Sequence, residues 1–201
     1  MSTPSIKGSA FQAVVDDLNR LLASGALSAG EASQRLEPAD LELLRSGVQP
    51  GSWYAIGAYR RMLGLLVAKE GAADREGYLR RRGQAAARRI LNMGLYSHLD
   101  AAMRAAARAP DKWVEQVGRV MTTLSNAMFN FSAWDFAAGD EQQLFSLHVR
   151  QAAELPEETR ILLQGFIEAL FEPFTQDRIQ VTSRRPNADA IVFEGVRVAV
   201  S

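Results

Sequence analysis

Cysteine is absent from the 201-residue chain, and histidine is scarce, with only His98 and His148. The absence of cysteine excludes a disulfide framework, a thiolate nucleophile, an iron–sulfur cluster and cysteine-ligated zinc. The chain also lacks a phosphate-binding Gly-x-x-x-x-Gly-Lys loop and the Gly-x-Ser-x-Gly turn that presents a nucleophilic serine. Because the two histidines lie in no recognisable motif, the sequence predicts a protein that is not an enzyme and that holds neither a metal nor a cofactor.

Long apolar runs are missing as well, and none approaches the ~20 residues that a membrane-spanning helix requires. Residues 1–8 carry one charged side chain, Lys7, and lack the apolar core of a signal peptide. We therefore expect a soluble, cytoplasmic protein that does not insert into membranes. Residues 1–8 are predicted to form a disordered tail and residues 9–201 a single domain, with a helical part over 9–125 and a second part over 126–201.

Neither sign of charge is in excess over the whole chain, since 23 Lys and Arg residues balance 23 Asp and Glu residues. A neutral chain whose basic residues are not interleaved with aromatic ones is not expected to bind nucleic acid. Basic residues are nevertheless concentrated over 60–90 and acidic residues over 135–177. Two interpretations are open: both segments are solvated faces, or they are complementary surfaces that meet inside the protein or across a dimer interface.

Helical signals dominate the first part of the chain. Apolar residues recur there at spacings of three and four, which is the period of amphipathic helices. Ser28 followed by Glu31 has the spacing of a capping box, and Pro38 is suited to the first turn of the next helix. These local signals predict a series of helices up to about residue 125.

A helix predicted over about residues 73–93 has two distinct faces. One seam holds Leu79, Gly83 and Ala86, and its small residues would let a neighbouring backbone approach closely. The other face carries arginines, whose guanidinium groups can bind oxyanions in a bidentate manner. These arginines are candidates for contact with an anion or a partner, and the alternative is a solvated helix face. The candidates are Arg81, Arg82, Arg88 and Arg89.

The hydrophobic period changes from about 3.6 to 2 near Asn126, which marks the start of a predicted sheet. Two hairpins, with turns at Gly139–Asp140 and Pro186–Asp189, are separated by a helix over about 156–171 that is apolar on most sides. The alternation along the last strand slips at Glu194–Gly195, which indicates a bulge or a tight turn. The sequence therefore predicts an α+β fold in which an N-terminal helical layer is followed by a small antiparallel sheet in hairpin–helix–hairpin order.

Aromatic residues at two places are candidates for ligand binding. Trp53, Tyr54 and Tyr59 could line a pocket, although aromatic residues at helical spacing more often belong to a core. Trp134 and His148 have the same parity on adjacent predicted strands, and the apolar residues of those strands would fill the opposite face. We therefore expect Trp134 and His148 to lie together on the sheet face that points away from the helices, as a pocket or an interface.

The order of elements resembles a known ligand-binding superfold. The segment Gly165–Phe171 followed by Ile179–Val181 resembles the C-terminal half of four-vinyl-reductase-type domains. The same plan occurs in haem-nitric-oxide-binding domains and in subunits of the vesicle-tethering transport-protein particle. Upstream, Ser52–Tyr59 and Arg82–Ala86 are similar to a family of uncharacterised domains common in myxobacteria. The resemblance covers about residues 38–200 and implies a bacterial ligand-binding domain.

Departures from these families limit what the resemblance implies. Four-vinyl-reductase-type domains often carry cysteines near the end of the fold, so cysteine-dependent ligand binding does not carry over to this chain. Haem-binding relatives need an axial histidine and a Tyr-x-Ser-x-Arg run in the second strand, a region that here is Phe145–Arg150 and lacks the motif. His98 follows a predicted helix, and we interpret it as a surface or capping residue rather than a haem ligand.

Two functions from different classes follow from these features. The first is a non-enzymatic sensor or regulatory module that binds a small apolar molecule between the helical layer and the sheet. The alternative is a protein-interaction scaffold without ligand, a homodimer or a partner of another protein. Three features favour self-association: the opposite charges of the two segments, an apolar strand over 190–200 that would expose an edge if unpaired, and Trp134 on the outer sheet face.

Overall fold

The computed structural model of the protein describes residues 3–92, 113–140, 143–172 and 178–198. Contacts divide the chain into two compact units, the first made of residues 1–78 with 127–131 and the second of residues 79–126 with 132–201. Each unit contains helices and antiparallel strands, which confirms the predicted α+β class. The single domain over 9–201 stays a prediction.

The first unit combines a two-stranded sheet with helices. Its elements are β1 (Ser5–Lys7), α1 (Gly8–Ala23), α2 (Ala29–Arg35), α3 (Pro38–Ser46), β2 (Trp53–Ala55) and α4 (Ile56–Glu70). β1 pairs antiparallel with β2, and Ile6 at its centre is buried. At positions 5–7 this strand contradicts the disordered tail expected over residues 1–8. Three residues are too few to show a hydrophobic period, so the sequence pattern did not reveal the strand.

Local sequence signals correctly predicted how the short helices of this unit begin. The backbone N–H of Glu31 donates to Ser28 Oγ, and the Ser28 N–H donates to the Glu31 carboxylate, so the predicted capping box of α2 is confirmed. Pro38 occupies the first turn of α3, as predicted. Both signals depend only on residues a few positions apart, which is why they can be read without tertiary structure.

The second unit is built on a four-stranded antiparallel sheet. The remaining elements of the described chain are α5 (Arg75–Asn92), α6 (Trp113–Met128), β3 (Ala133–Ala138), β4 (Phe145–Arg150), α7 (Glu157–Phe171), β5 (Arg178–Asn187) and β6 (Ala190–Val198). The strand order is β3-β4-β6-β5, which confirms the hairpin–helix–hairpin order. The sheet starts later than predicted, because α6 continues to Met128. Phe129 belongs to the first unit, where it forms an isolated bridge with Ile6.

Helix α7 covers one face of the sheet, which we call the inner face. The Phe171 ring stacks on the ring of Phe145 from β4, with centroids 4.7 Å apart and planes nearly parallel. Most residues of α7 are buried, as its apolar sequence predicted. Leu147 and Val149 continue the inner face along β4 and are also buried. Burial of each such side chain contributes about 1.5–3 kcal/mol, so this layer is the main apolar core of the second unit.

The register of the first hairpin separates Trp134 from His148. Trp134 lies opposite Val149 and Asp135 lies opposite His148, and directly opposite residues share a sheet face. Trp134 is therefore on the inner face, where it is buried and stacks on Phe193, whereas His148 is exposed on the outer face. The expectation that the two lie together is wrong. The prediction counted the alternation of inward and outward side chains from Phe129, which precedes β3. Each residue of β3 was therefore assigned to the wrong face of the sheet.

Helices α5 and α7 cross at two glycines. A Cβ atom on Gly83 would lie 1.8 Å from a carbonyl oxygen of α7, and one on Gly165 would lie 2.0 Å from a carbonyl oxygen of α5. Each backbone therefore lies directly against the other. This confirms the close approach predicted at Gly83, although the fully buried neighbour along the seam is Ala87 and not Ala86.

Charged groups on either side of this crossing are paired with each other. A guanidinium nitrogen of Arg80 lies 3.2 Å from the Glu168 carboxylate, and one of Arg88 lies 3.0 Å from the Glu172 carboxylate. The basic segment and the acidic segment thus meet inside the second unit. Part of the charge complementarity seen in the sequence is therefore used within the chain.

Candidate functional site

A groove of about 450 Å³ lies where helix α6 passes beside strand β3 in the second unit, and we call it the α6–β3 groove. It is open to solvent on one side. Its volume falls within the range of small-molecule sites, roughly 300–1,000 Å³. The lining residues are Glu115, Arg119 and Thr122 from α6 and Trp134, Asp135, Phe136 and Ala138 from β3.

Strand β3 supplies the apolar wall of the groove. β3 is an edge strand of the four-stranded sheet, and among the residues that the structure describes it pairs only with β4. Successive side chains of a strand point to opposite faces, so a groove lined by Trp134, Asp135 and Phe136 in succession reaches the edge of the strand. The Trp134 side chain is held in place by its indole N–H, which donates to Ser132 Oγ at 2.8 Å.

Helix α6 supplies the charged wall. Glu115, Arg119 and Thr122 are spaced by four and three residues, which places them on one side of the helix. On the same helix, Gly118 lets the Phe136 ring approach closely, because a Cβ atom there would lie 2.2 Å from the ring. The Thr122 hydroxyl donates to the Gly118 carbonyl oxygen at 2.8 Å, which fixes that side chain beside the groove.

The charged groups of the groove are available to a ligand. The Glu115 carboxylate and the Arg119 guanidinium lie 3.6 Å apart, with 56% and 78% of their side chains exposed. Such an exposed pair contributes only about 0–1 kcal/mol to stability, so either group can exchange its partner at little cost. Asp135 adds a second acidic residue on the strand side.

The aromatic residues predicted near the start of the chain belong to the first unit and do not line this groove. Tyr54 and Tyr59 each pack edge-on against the buried Phe11 ring, at centroid distances of 5.9 and 5.4 Å. Trp53 is 43% exposed, and the Lys7 ammonium lies 4.4 Å from the centroid of its ring. The structure therefore places Tyr59 in a core, Tyr54 half-buried beside Phe11 and Trp53 at the surface.

Of the other predicted site residues, Trp134 lines the groove, and the arginines of α5 and His148 do not. Arg88 is paired with Glu172 at the α5–α7 crossing. Along α5, Arg81 and Arg89 are exposed and Arg82 is half-buried.

Sequence reasoning missed most of the groove. The stripe Glu115, Arg119 and Thr122 is visible in the sequence as the polar side of an amphipathic helix. Nothing local marks it as different from any solvated face. Its significance comes from the neighbouring edge strand, and that adjacency exists only in the folded chain.

Metal-binding clusters and membrane-spanning helices are both absent from the described part of the chain. No three histidine or acidic residues there are placed to hold a metal ion. No helix there is both long enough and apolar enough to cross a bilayer.

Comparison with known proteins identifies the fold. A mutant H-NOX of T. tengcongensis is similar with a TM-score of 0.56 and 12% identity, over 96% of this chain and 97% of that one. A Cs H-NOX mutant carrying 4-cyano-L-phenylalanine is similar with a TM-score of 0.54 and 11% identity, over 96% of each chain. No family model and no curated protein matches the sequence. The chain therefore has an H-NOX-like fold, and its likeness to the other families named above stays a prediction.

Proposed function

We propose that the protein is a non-enzymatic sensor or regulatory module that binds a small molecule in the α6–β3 groove. The observation that carries this proposal is the groove itself, which combines an apolar wall with exchangeable charged groups in about 450 Å³. It lies between a helix and the sheet, where the sequence led us to expect a ligand. The H-NOX-like fold supports a ligand-binding role by analogy of fold alone, because two solved H-NOX domains are similar to the chain over 96% of its length.

Haem, which the resemblance to haem-nitric-oxide-binding domains implies, does not fit the residues present. No Tyr-x-Ser-x-Arg sequence occurs anywhere in the chain. In β4, Ser146, His148 and Arg150 alternate with buried apolar residues and share the outer sheet face, away from helix α7. A polar contact to a haem under the helices is therefore not available from this strand. His98 lies outside the described residues.

We expect the purified protein to show no Soret band, and haem added in equimolar amount to give no stable complex. The physical reason is that β4 presents apolar side chains, and not the polar motif, to the interior. Absorption spectroscopy after gel filtration measures the result. A stoichiometric haem complex that disappears in the variant His98→Ala would contradict the prediction.

A groove-filling substitution tests the proposed binding site. We expect Thr122→Tyr to abolish binding of the fragments that bind the wild-type protein, because the larger side chain occupies the groove that Thr122 lines. Thr123→Tyr is the matched control, since Thr123 is the next residue on α6, is exposed and does not line the groove. Ligand-observed NMR with a defined fragment collection measures binding to all three proteins, and thermal unfolding verifies that each is folded.

The outcomes of this screen are decisive in both directions. Fragments that bind the wild type and Thr123→Tyr but not Thr122→Tyr support the proposed site. If Thr122→Tyr binds the same fragments as the wild type, or if no fragment binds the folded wild type, the groove is not a ligand site and the proposal is wrong.

Of the three features that favoured the homodimeric scaffold, the structure weakens one and removes two. The opposite charges of the two segments are partly paired within the chain, at Arg80–Glu168 and Arg88–Glu172. β6 lies between β4 and β5 and so is not an edge strand. Trp134 is buried on the inner face. The dimer itself stays a prediction.

A further inference from the structure

We infer that the ligand of the α6–β3 groove is an α-zwitterion with an apolar body, that is, a molecule of the amino-acid class. The inference rests on the proposed function, and it adds the chemistry that the groove would recognise. It is drawn from the position of two opposite charges beside an apolar wall.

The spacing of the charged groups favours adjacent charges on the ligand. The Arg119 guanidinium and the Glu115 carboxylate lie 3.6 Å apart. In an α-amino acid the ammonium and carboxylate groups are attached to one carbon atom, so both can contact these two side chains at the same time. A ligand whose two charges were separated by a long chain could contact one of the two groups but not both at the same time.

Ligands of a single charge fit this pair less well. A carboxylate bound to Arg119 would leave Glu115 beside it without its cation, and Asp135 adds a further negative charge on the strand side. An ammonium group bound to Glu115 would leave Arg119 without its anion. A zwitterion replaces both partners at once, because its carboxylate binds Arg119 while its ammonium binds Glu115.

The apolar wall defines the rest of the ligand. Phe136 is half-buried and Ala138 is exposed, and both line the groove together with the buried Trp134. Aromatic and aliphatic groups bind such a surface by removing its apolar area from water. An amino acid with a small polar side chain would leave this wall exposed. An aromatic or large aliphatic side chain is therefore the expected body.

Three probes that differ only in charge test the inference: L-phenylalanine, 3-phenylpropionate and 2-phenylethylamine. Each is titrated into ¹⁵N-labelled protein, and amide chemical shifts give the dissociation constant. We expect L-phenylalanine to bind about two- to fivefold more tightly than either analogue, since each analogue lacks one contact with an exposed charged group, and such a contact contributes up to about 1 kcal/mol. The amide shifts should be concentrated in α6 and β3.

Charge-removing variants identify the groups that bind each end of the zwitterion. Arg119→Gln should reduce the affinity for L-phenylalanine to about that of 2-phenylethylamine, and Glu115→Gln to about that of 3-phenylpropionate. Arg150→Gln is the control, because Arg150 is exposed on β4 and does not line the groove. Both groove residues are largely exposed, so neither substitution is expected to disturb folding.

The possible results separate this inference from the proposed function. Equal binding of the three probes, no binding of L-phenylalanine, or no effect of the two charge variants would overturn the zwitterion. If fragments are still lost in Thr122→Tyr, the groove stands as a ligand site of another chemistry. If Thr122→Tyr changes nothing, the proposed function fails, and the inference that rests on it fails with it.

Discussion

Gly83→Leu is expected to destabilise the protein by about 3 kcal/mol, the upper end of the usual cost of overpacking. A Cβ atom at this position would lie 1.8 Å from a backbone carbonyl oxygen of α7, so α5 and α7 must separate before any side chain fits. Separation would also disturb the ion pairs that join the two helices. Chemical denaturation at equilibrium measures the change in the free energy of unfolding.

A glycine in an open position provides the control for this prediction. Gly64 lies inside α4, and nothing lies within 4 Å of a Cβ atom added there. Gly64→Ala should therefore stabilise the protein, by up to about 1 kcal/mol, because alanine favours the helix more than glycine does. Gly83→Ala should still be destabilising. Equal stability changes for the two alanine variants would show that the crossing of α5 and α7 is not as close as the structure has it.

Asp40→Ala is expected to destabilise the protein by about 2 kcal/mol, because the buried Asp40 carboxylate accepts hydrogen bonds from both helix α4 and the start of helix α3. It is 1% exposed and accepts two hydrogen bonds from the Arg61 guanidinium, at 2.5 and 2.9 Å. It also accepts the backbone N–H of Glu37 at the start of α3. The hydrogen bond to Asp40 raises the pKa of Arg61 above its usual value. Arg61 is partly exposed and keeps Glu37 as a partner, so the cost is smaller than for a fully buried pair.

The control for Asp40 is an exposed acidic residue on the same helix. Glu42 pairs with Arg45 at 2.9 Å, with 65% and 71% of the side chains exposed. Glu42→Ala should change stability by less than about 1 kcal/mol, since surface pairs contribute little. Thermal or chemical unfolding compares the two variants with the wild type. A change for Asp40→Ala no larger than that for Glu42→Ala would contradict the structural role of the buried carboxylate.

Features that depend on nearby residues were predictable from the sequence. The capping box of Ser28 and Glu31 depends on a spacing of three residues and is present. The apolar composition of α7 predicted its burial, and the small residue Gly83 predicted a close helix contact. In each case the local pattern has one dominant structural solution.

Features that depend on how strands meet were not predictable. The slip expected at Glu194–Gly195 is absent from β6, and the register shift lies in β5, between Arg184 and Asn187. Gly195 is instead required by packing, because a Cβ atom there would lie 2.1 Å from the Phe145 ring. The sequence shows both Gly195 and Phe145, but it does not show that the Phe145 ring packs against Gly195 in the folded chain.

The groove is the strongest case of this limit. Its charged wall and its apolar wall are each ordinary stretches of sequence, and they become a site only because α6 lies beside the edge of the sheet. Trp134 was selected as a site residue from a wrong face assignment, and it nevertheless lines the groove. Candidate residues from the sequence therefore needed the tertiary structure before they could be interpreted.

The most direct test of a ligand site between α6 and β3 is a set of intermolecular NOE measurements on the protein bound to a fragment from the screen. The Thr122 and Ala138 methyl groups belong to residues on opposite walls of the groove. The account predicts NOEs from the bound fragment to both methyl groups. Contacts of the fragment with other residues, and none with these two methyl groups, would contradict it.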